Sequence, residues 1–397
     1  FIAYFRTKSH ALFFKPLQMV RILNVTITTP PNQVADQLRL IGDGFSREVF
    51  TTYFRYVPDA QLIVSPDYPL GDALVGLFHG SDNEGNLYPE TIEHLRDVTE
   101  ILAAHGFRRY RPLADAISPV LDRYCLDISA YDVFIIKRAV RQAAEVMDEA
   151  AALCPFHPVI GQIVEVEKRC RNIAVVRLIV DTPIEYEPGQ YLSVNTDYSG
   201  GRWTNLSPSI PCNDAGQIEF HVHAPSLLST ARQGDRIRIA AAGGGYNLDY
   251  DQDMLLIAHG TGLAEARAII VDMLMKGRTP HTHLFLSADY PGELYELQGL
   301  WQLASTAPWL FIQPVVTHES DAWWVGATES SQPPRGLHLT QVGDVGTIVA
   351  SFGTWLGHQI IITGPKKLVA RTKKKLLTRG TPEELIQTQN YQSAYFI

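Results

Sequence analysis

The sequence lacks the marks of several function classes. Its four cysteines, Cys125, Cys154, Cys170 and Cys212, are widely spaced with no Cys-x-x-Cys pair. That spacing indicates neither a zinc knuckle nor a disulfide framework and points to a reducing compartment, the cytoplasm. No apolar run approaches the roughly 20 residues needed to cross a bilayer, so a membrane-embedded protein is not expected. Positive charge is in deficit. With a formal net charge of -8 there is no basic excess to offset repulsion from phosphates, which argues against nucleic acid and anionic membranes as partners. Gly-x-Ser-x-Gly, His-Glu-x-x-His and Walker motifs are missing, as is any internal repeat. The opening residues 1–18 have neither the apolar core nor the small-residue cleavage site of a secretory signal. Met19 stands just before the first plausible element, and residues 1–33 read as an N-terminal extension.

What is present describes an ordinary globular protein: 46% hydrophobic and 19% charged residues over 397 positions. That length exceeds one compact core and implies two or three domains. Residues 34–152 carry apolar side chains at three- and four-residue spacing, predicting helices over 34–56, 70–78, 89–105, 112–124 and 131–152, with prolines and glycines between them. From Val159 the period becomes two. Strands are expected over 160–166, 173–180, 191–195, 218–223 and 236–240, at the even intervals of a small antiparallel barrel spanning 157–248. From 249 to 397 strand and helix alternate, the pattern of a doubly wound parallel sheet that binds ligands at the carboxyl ends of its strands. The fold class read from these zones is multidomain α+β.

The most informative stretch is the apolar run from Met254 to Ala258, which breaks into Gly260-Thr261-Gly262 and restarts as an amphipathic helix. Glycines there let the backbone turn sharply and let pyrophosphate oxygens approach the free N–H groups at the head of the helix. Packing turns can share this form, so the neighbouring motifs matter.

Those neighbours are Glu187-Pro-Gly-Gln-Tyr-Leu-Ser-Val194, Leu206-Ser-Pro208, Gln217-Ile-Glu-Phe-His-Val222, Gly234-Asp-Arg-Ile-Arg238, His259-Gly-Thr-Gly262 and Thr363-Gly-Pro365. Their order and spacing are similar to those of ferredoxin-NADP reductase-like modules. With the helical zone in front, the chain resembles the flavohaemoglobin family, especially its actinobacterial type. The resemblance implies a globin-like domain, a flavin-type barrel and a nucleotide-type α/β domain. It also implies an electron path: NAD(P)H reduces FAD in the barrel, FAD reduces a haem, and oxygen converts nitric oxide to nitrate there.

Residue by residue, the resemblance assigns Gln190 and Tyr191 to the flavin edge, and Ser207 to a hydrogen bond with the flavin's N5. The family's Arg-x-Tyr-Ser is Thr204-Asn205-Leu206-Ser207 here, so the cation and the aromatic are replaced. Arg202, two residues earlier and on the same strand face as Thr204, is the candidate substitute. Ser229 and Thr230 stand where a second pyrophosphate element belongs. Without a cation, FAD would lose its charge-assisted bonds. In the nucleotide zone Gly260, Thr261, Gly262, Gly364 and Pro365 match the family's turns, and His259 adds a side chain where the cofactor would approach. Asp289 replaces an Arg. It would repel the 2′-phosphate of NADPH and accept from the ribose hydroxyls of NADH, which favours NADH. Tyr391 is the candidate aromatic to stack on the flavin.

The haem positions depart furthest. Leu102, which cannot ligate iron, falls at the proximal position, and His105 one turn on is the only nearby substitute. Thr51 and Val64 or Ser65 stand where a distal Tyr and a wedging Phe belong. The pair His221 and His223 has the spacing of metal ligands, and one His of the pair is common in the family's strand, which favours packing. Two readings remain open: an NAD(P)H-dependent flavin oxidoreductase acting on a dinucleotide and a small-molecule substrate, or a cofactor-poor relative serving as a binding or regulatory scaffold for a protein partner.

Overall fold

The computed structural model describes residues 33–40, 42–126, 128–332 and 340–389. The expected N-terminal extension and Tyr391 lie outside the described residues. The helical region consists of α1 (Gln33–Leu40), α2 (Gly42–Tyr56), α3 (Leu70–His79), α4 (Pro89–Ala104), α5 (Arg111–Tyr124) and α6 (Ala130–Leu153). Proline opens α4, where a missing N–H costs nothing, and the Ser129 side chain accepts from Asp132 N to cap α6. Where a single helix was expected over 34–56, one helix ends at Leu40 and another begins at Gly42, which takes φ +67. Apolar stripes meet in one core: Phe45, Val49, Phe50 and Tyr53 of α2 pack with Val120 and Leu121 of α5 and Ile136 and Val140 of α6.

The second region has β1 (Val159–Lys168), β2 (Ile173–Val180), β3 (Gln190–Thr196), β4 (Thr204–Leu206), β5 (Gln217–His223) and β6 (Arg236–Gly244). They pair antiparallel in the order β4-β3-β6-β1-β2-β5, and a bridge from Pro208 to Phe220 joins the two ends. Alternation puts Val176, Leu178, Leu192, Val194, Ile218, Phe220, Ile237 and Ile239 inside. The short β4 has too few residues to show a period of its own.

The third region is a six-stranded sheet of β7 (Met254–His259), β8 (Thr282–Ala288), β9 (Leu310–Val316), β10 (Gln341–Val342), β11 (Gln359–Thr363) and β12 (Ile386–Thr388), in the order β10-β9-β8-β7-β11-β12. Every pairing in it is parallel. Met254, Leu256 and Ala258 pack under α7 (Leu263–Lys276) and α8 (Leu297–Thr306), while Leu255 and Ile257 pack under α9 (Val345–Ser351) and α10 (Lys366–Thr378). The sheet is therefore doubly wound. Its direction of growth reverses between β7 and β11, and that switch point is where such sheets bind ligands. Among the described residues no helix is long and apolar enough to cross a membrane.

The regions are stitched together. The Trp203 Nε1 donates to Ile63 O at 2.9 Å, and Gly201, at φ +78, lies so close to the Val64 carbonyl that a Cβ would not fit. Between barrel and sheet, Arg267 of α7 donates to Ser209 O at 3.0 Å and to Glu219 Oε1 at 2.9 Å, and Glu219 Oε2 accepts from Arg177 at 2.7 Å. Burial opposes the Glu219 charge. His221, Arg267 and Ser209 outweigh it and hold the carboxyl well below the usual carboxylate range.

Candidate cofactor site

The switch point gathers the glycine turns. Gly260 takes φ +52 with open space where a Cβ would point, so its neighbourhood is accessible to a ligand. Gly262 is glycine for a different reason: a Cβ there would lie 2.6 Å from Gly364 N. Thr363 Oγ1 donates to Gly262 O at 2.8 Å, tying the second turn's side chain to the backbone of the first. Thr261 is half-buried, and Pro365 is exposed at the head of α10. Asp289 follows β8, exposed and accepting from Thr317 Oγ1 at 3.3 Å. His259 does not block the approach as expected. Its ring is buried beneath the turn, with Nδ1 2.7 Å from Ser287 Oγ and Nε2 3.1 Å from Thr372 Oγ1. Burial, with Arg371 adding to it, pushes its pKa down to about 4, so it is a neutral cross-tie.

On the barrel side, Gln190 secures the Pro188-Gly189 turn. Its Oε1 accepts from Glu187 N at 2.7 Å and its Nε2 donates to Gly244 O at 3.4 Å. The Tyr191 ring packs on Gly244, where a Cβ would come within 2.8 Å of it, and burial pushes the phenol up to about 12. Thr204, Asn205 and Leu206 are half-buried along β4, with Asn205 Oδ1 accepting from Ser193 Oγ at 2.6 Å. The pyrophosphate substitutes fare differently. Arg202 is exposed and its Nε donates to Ser199 O at 3.1 Å within its own turn, while Trp203 beside it is anchored on the helical region. Ser229 Oγ donates to Ser226 O at 2.8 Å within its own turn, and Thr230 faces solvent. Among the described residues this edge presents no buried cation.

Sequence reasoning missed the group at the centre. Glu265, in the first turn of α7, is fully buried. Its Oε2 accepts from the Tyr246 hydroxyl, which in turn receives the backbone N–H of Gln389, and Ser207 also bonds the carboxyl. Burial outweighs those two hydrogen bonds and pushes the carboxyl up to about 8. Gln389 Oε1 accepts from Gly245 N at 2.6 Å. The ends of β4, β6 and β12 and the head of α7 thus meet at one polar cluster. The available signal was a lone acid in Leu263-Ala264-Glu265-Ala266, an apolar helix start.

His105, the expected iron ligand, is not in an interhelical pocket. It caps the C-terminus of α4, its Nδ1 2.7 Å from Ile101 O and its ring edge-on to Trp203 at 4.8 Å. The middle of the helical core is filled. The Tyr53 hydroxyl donates to Arg109 O at 2.9 Å and its ring meets Phe107 at 5.9 Å, while Val64 is fully buried against them. Thr51 is exposed, its hydroxyl donating to Arg47 O at 2.7 Å. These residues do not fit a porphyrin. His221 Nδ1 hydrogen-bonds the Tyr295 hydroxyl at 2.9 Å, and no metal-binding cluster occurs among the described residues.

No family model matches the chain. Among curated proteins it is similar to the phenol hydroxylase P5 protein of Acinetobacter pittii, 25% identical over 248 residues, covering 58% of this chain and 65% of that protein. It is also similar to the NAD(P)H-flavin reductase of Aliivibrio fischeri, 27% identical over 184 residues, covering 43% and 77%. The chain spans 65% and 51% of the first two curated relatives, the second a naphthalene 1,2-dioxygenase reductase component of Pseudomonas putida. Among solved structures, a flavohemoglobin from Malassezia yamatoensis superposes with TM-score 0.52 at 14% identity, covering 91% of this chain and 96% of that one. A ferredoxin reductase in carbazole 1,9a-dioxygenase gives TM-score 0.50 at 21% identity, covering 62% and 72%. The barrel and the parallel sheet of this chain share the fold of these proteins.

Proposed function

We propose that the protein is an NADH-dependent flavin oxidoreductase in which a flavin is held by its ring at the barrel edge. The observation that carries this is the meeting of Ser207, Glu265, Tyr246 and Gln389 at the carboxyl end of the parallel sheet, beside an accessible Gly260 turn. A bound flavin would supply the hydride-accepting chemistry. The chain's own groups do the rest. The Gly260 turn and the head of α7 receive the dinucleotide phosphates, and exposed Asp289 accepts from the ribose and repels a 2′-phosphate. Tyr191 and the Gly244 turn form the apolar wall against which a ring would pack, and Ser207 presents a hydroxyl at its edge. Buried Glu265 and half-buried Tyr246 keep that hydroxyl oriented and limit the access of bulk water. The curated relatives, described as flavin reductases and oxygenase reductase components, support an oxidoreductase. An oxygenase or ferredoxin-type protein is then the candidate electron acceptor.

With Arg202 tied to its own turn, the ring rather than the diphosphate should dominate flavin affinity. Flavin-fluorescence titration with riboflavin, FMN and FAD is expected to give affinities within about a factor of ten of one another, the worth of roughly one hydrogen bond. FAD binding a thousandfold tighter than riboflavin would refute ring-dominated binding. For the helical region the packed core favours a second role, a scaffold abutting the barrel through Trp203 and His105, with no haem step.

A further inference from the structure

Six charged side chains close into a ring that starts on the barrel and crosses to the sheet. It begins with strand register. Arg177 of β2 lies directly opposite Glu165 of β1 and Glu219 of β5, so the pleat brings all three to the face turned away from the barrel core. Arg177 meets Glu219 at 2.7 Å and Glu167 at 3.0 Å, and Glu167 meets Arg169 at 3.2 Å. There the ring leaves the barrel. Arg169 pairs at 3.1 Å with Glu296, the residue before α8; Glu296 pairs at 3.9 Å with Arg267 of α7, and Arg267 returns to Glu219 at 2.9 Å. Signs alternate at every step, so each member has an opposite charge on both sides. One neutral tie accompanies it, the 2.9 Å bond between His221, two residues after Glu219, and Tyr295, next to Glu296.

Stability alone does not call for this ring. The Glu219, Glu296 and Arg169 side chains are 9%, 12% and 17% exposed. Ions taken that far from water regain in attraction about what they lose in hydration, so apolar side chains of similar size would hold the two regions as tightly. What charge adds is direction. A guanidinium donates from a rigid planar fork, and Arg267 turns Nη1 to the barrel and Nε to Glu296. The lone bond between His221 and Tyr295 leaves rotation about itself free, whereas the two crossings, Glu219 with Arg267 and Arg169 with Glu296, oppose it. Nearby ties from Arg171 N to Val325 O at 2.9 Å and from Thr328 Oγ1 to Arg169 O at 2.6 Å come from the connection after β9, not from a strand or helix of the sheet. We infer that the ring fixes the orientation of the barrel against the parallel sheet, which makes Arg267 and Glu296 positioning residues for the junction where flavin and dinucleotide would meet. Its consequence for hydride transfer rests on the function proposed above; the orientation does not.

Pulsed EPR on the full chain reads that orientation. Nitroxides on Cys212, exposed on the barrel side while the other cysteines are buried, and on Gln302→Cys at an exposed position of α8 report one distance across the junction. The parent should show a single narrow distance distribution. Arg267→Met combined with Glu296→Leu removes both ring members of the sheet side, leaves Glu219 with Arg177 and Arg169 with Glu167, and keeps the net charge. In this variant the distribution should broaden or shift while the urea midpoint and the affinities for riboflavin and ADP-ribose stay as in the parent. Flavin reduction by NADH should slow by about tenfold or more, as expected for reacting groups held out of line. Arg267→Lys keeps the charge without the fork, is the milder change, and should broaden the distribution too. A distribution already broad in the parent, or as narrow in both variants as in the parent, would overturn the ring as the orienting device. A parent that reduces no flavin, with the distributions as expected, would overturn the oxidoreductase proposal and leave the ring's role standing.

Discussion

Glutamine in place of Glu265 removes a titration while keeping the shape of the side chain. Burial lifts this carboxyl from 4.5 to about 8, so between those values the folded chain keeps a proton that the unfolded chain releases. Stability from this group is complete below about pH 4.5, falls as pH rises, and levels off once pH passes about 8. Each tenfold change in proton affinity is worth about 1.4 kcal/mol, and the full swing comes to about 5 kcal/mol. Glutamine carries no such proton. The advantage of Glu265→Gln over the parent should be about 1 kcal/mol at pH 5 and about 4 kcal/mol at pH 8. Urea unfolding of both proteins at the two pH values measures it. A difference that is the same at pH 5 and pH 8 would refute the raised carboxyl, whatever its size.

Other consequences are equally open to measurement. Gly201→Ala puts a Cβ against the Val64 carbonyl at a positive φ and should destabilise the chain by about 2–4 kcal/mol; an unchanged urea midpoint would mean the helical region does not pack on the barrel as described. Asp289→Arg should shift nucleotide preference from NADH toward NADPH by about tenfold or more in kcat/KM, since it exchanges repulsion of a 2′-phosphate for attraction; an unaltered ratio would remove Asp289 from the site. Arg267→Ala leaves buried Glu219 with fewer partners and should cost about 2–4 kcal/mol at pH 7, read from thermal or urea unfolding, with no loss expected if the barrel and sheet are joined elsewhere.

Helices and strands were legible wherever burial imposes a period. The 3.6-residue stripes gave α3 through α6 to within one residue of their ends, and alternation gave five of the six barrel strands. The six-stranded parallel sheet followed from the strand and helix succession, except for β10, whose two residues carry no pattern. The new helix start at Gly42, at φ +67, was hidden because apolar spacing continues from one helix to the next. Motif matching found the glycine turns at Gly260, Gly262 and Gly364, because turns need glycine and leave a mark in the sequence. It could not tell that Arg202 would hydrogen-bond its own turn, nor that His259 would be buried beneath the glycine turn, the latter fixed by Ser287 and Thr372, which are distant in sequence. Glu265 escaped for the opposite reason. An acid in the first turn of a helix reads as ordinary dipole compensation, and only its complete burial among Ser207, Tyr246 and Gln389 sets it apart.

Anaerobic mixing of NADH with the full chain and one equivalent of riboflavin or FAD tests the junction of barrel and sheet most directly. Loss of the flavin's visible absorbance is expected with either flavin, and Ser207→Ala should slow it by about tenfold or more. Flavin that stays oxidised in the presence of both protein and excess NADH would contradict the oxidoreductase proposal and leave a scaffold built on the same fold.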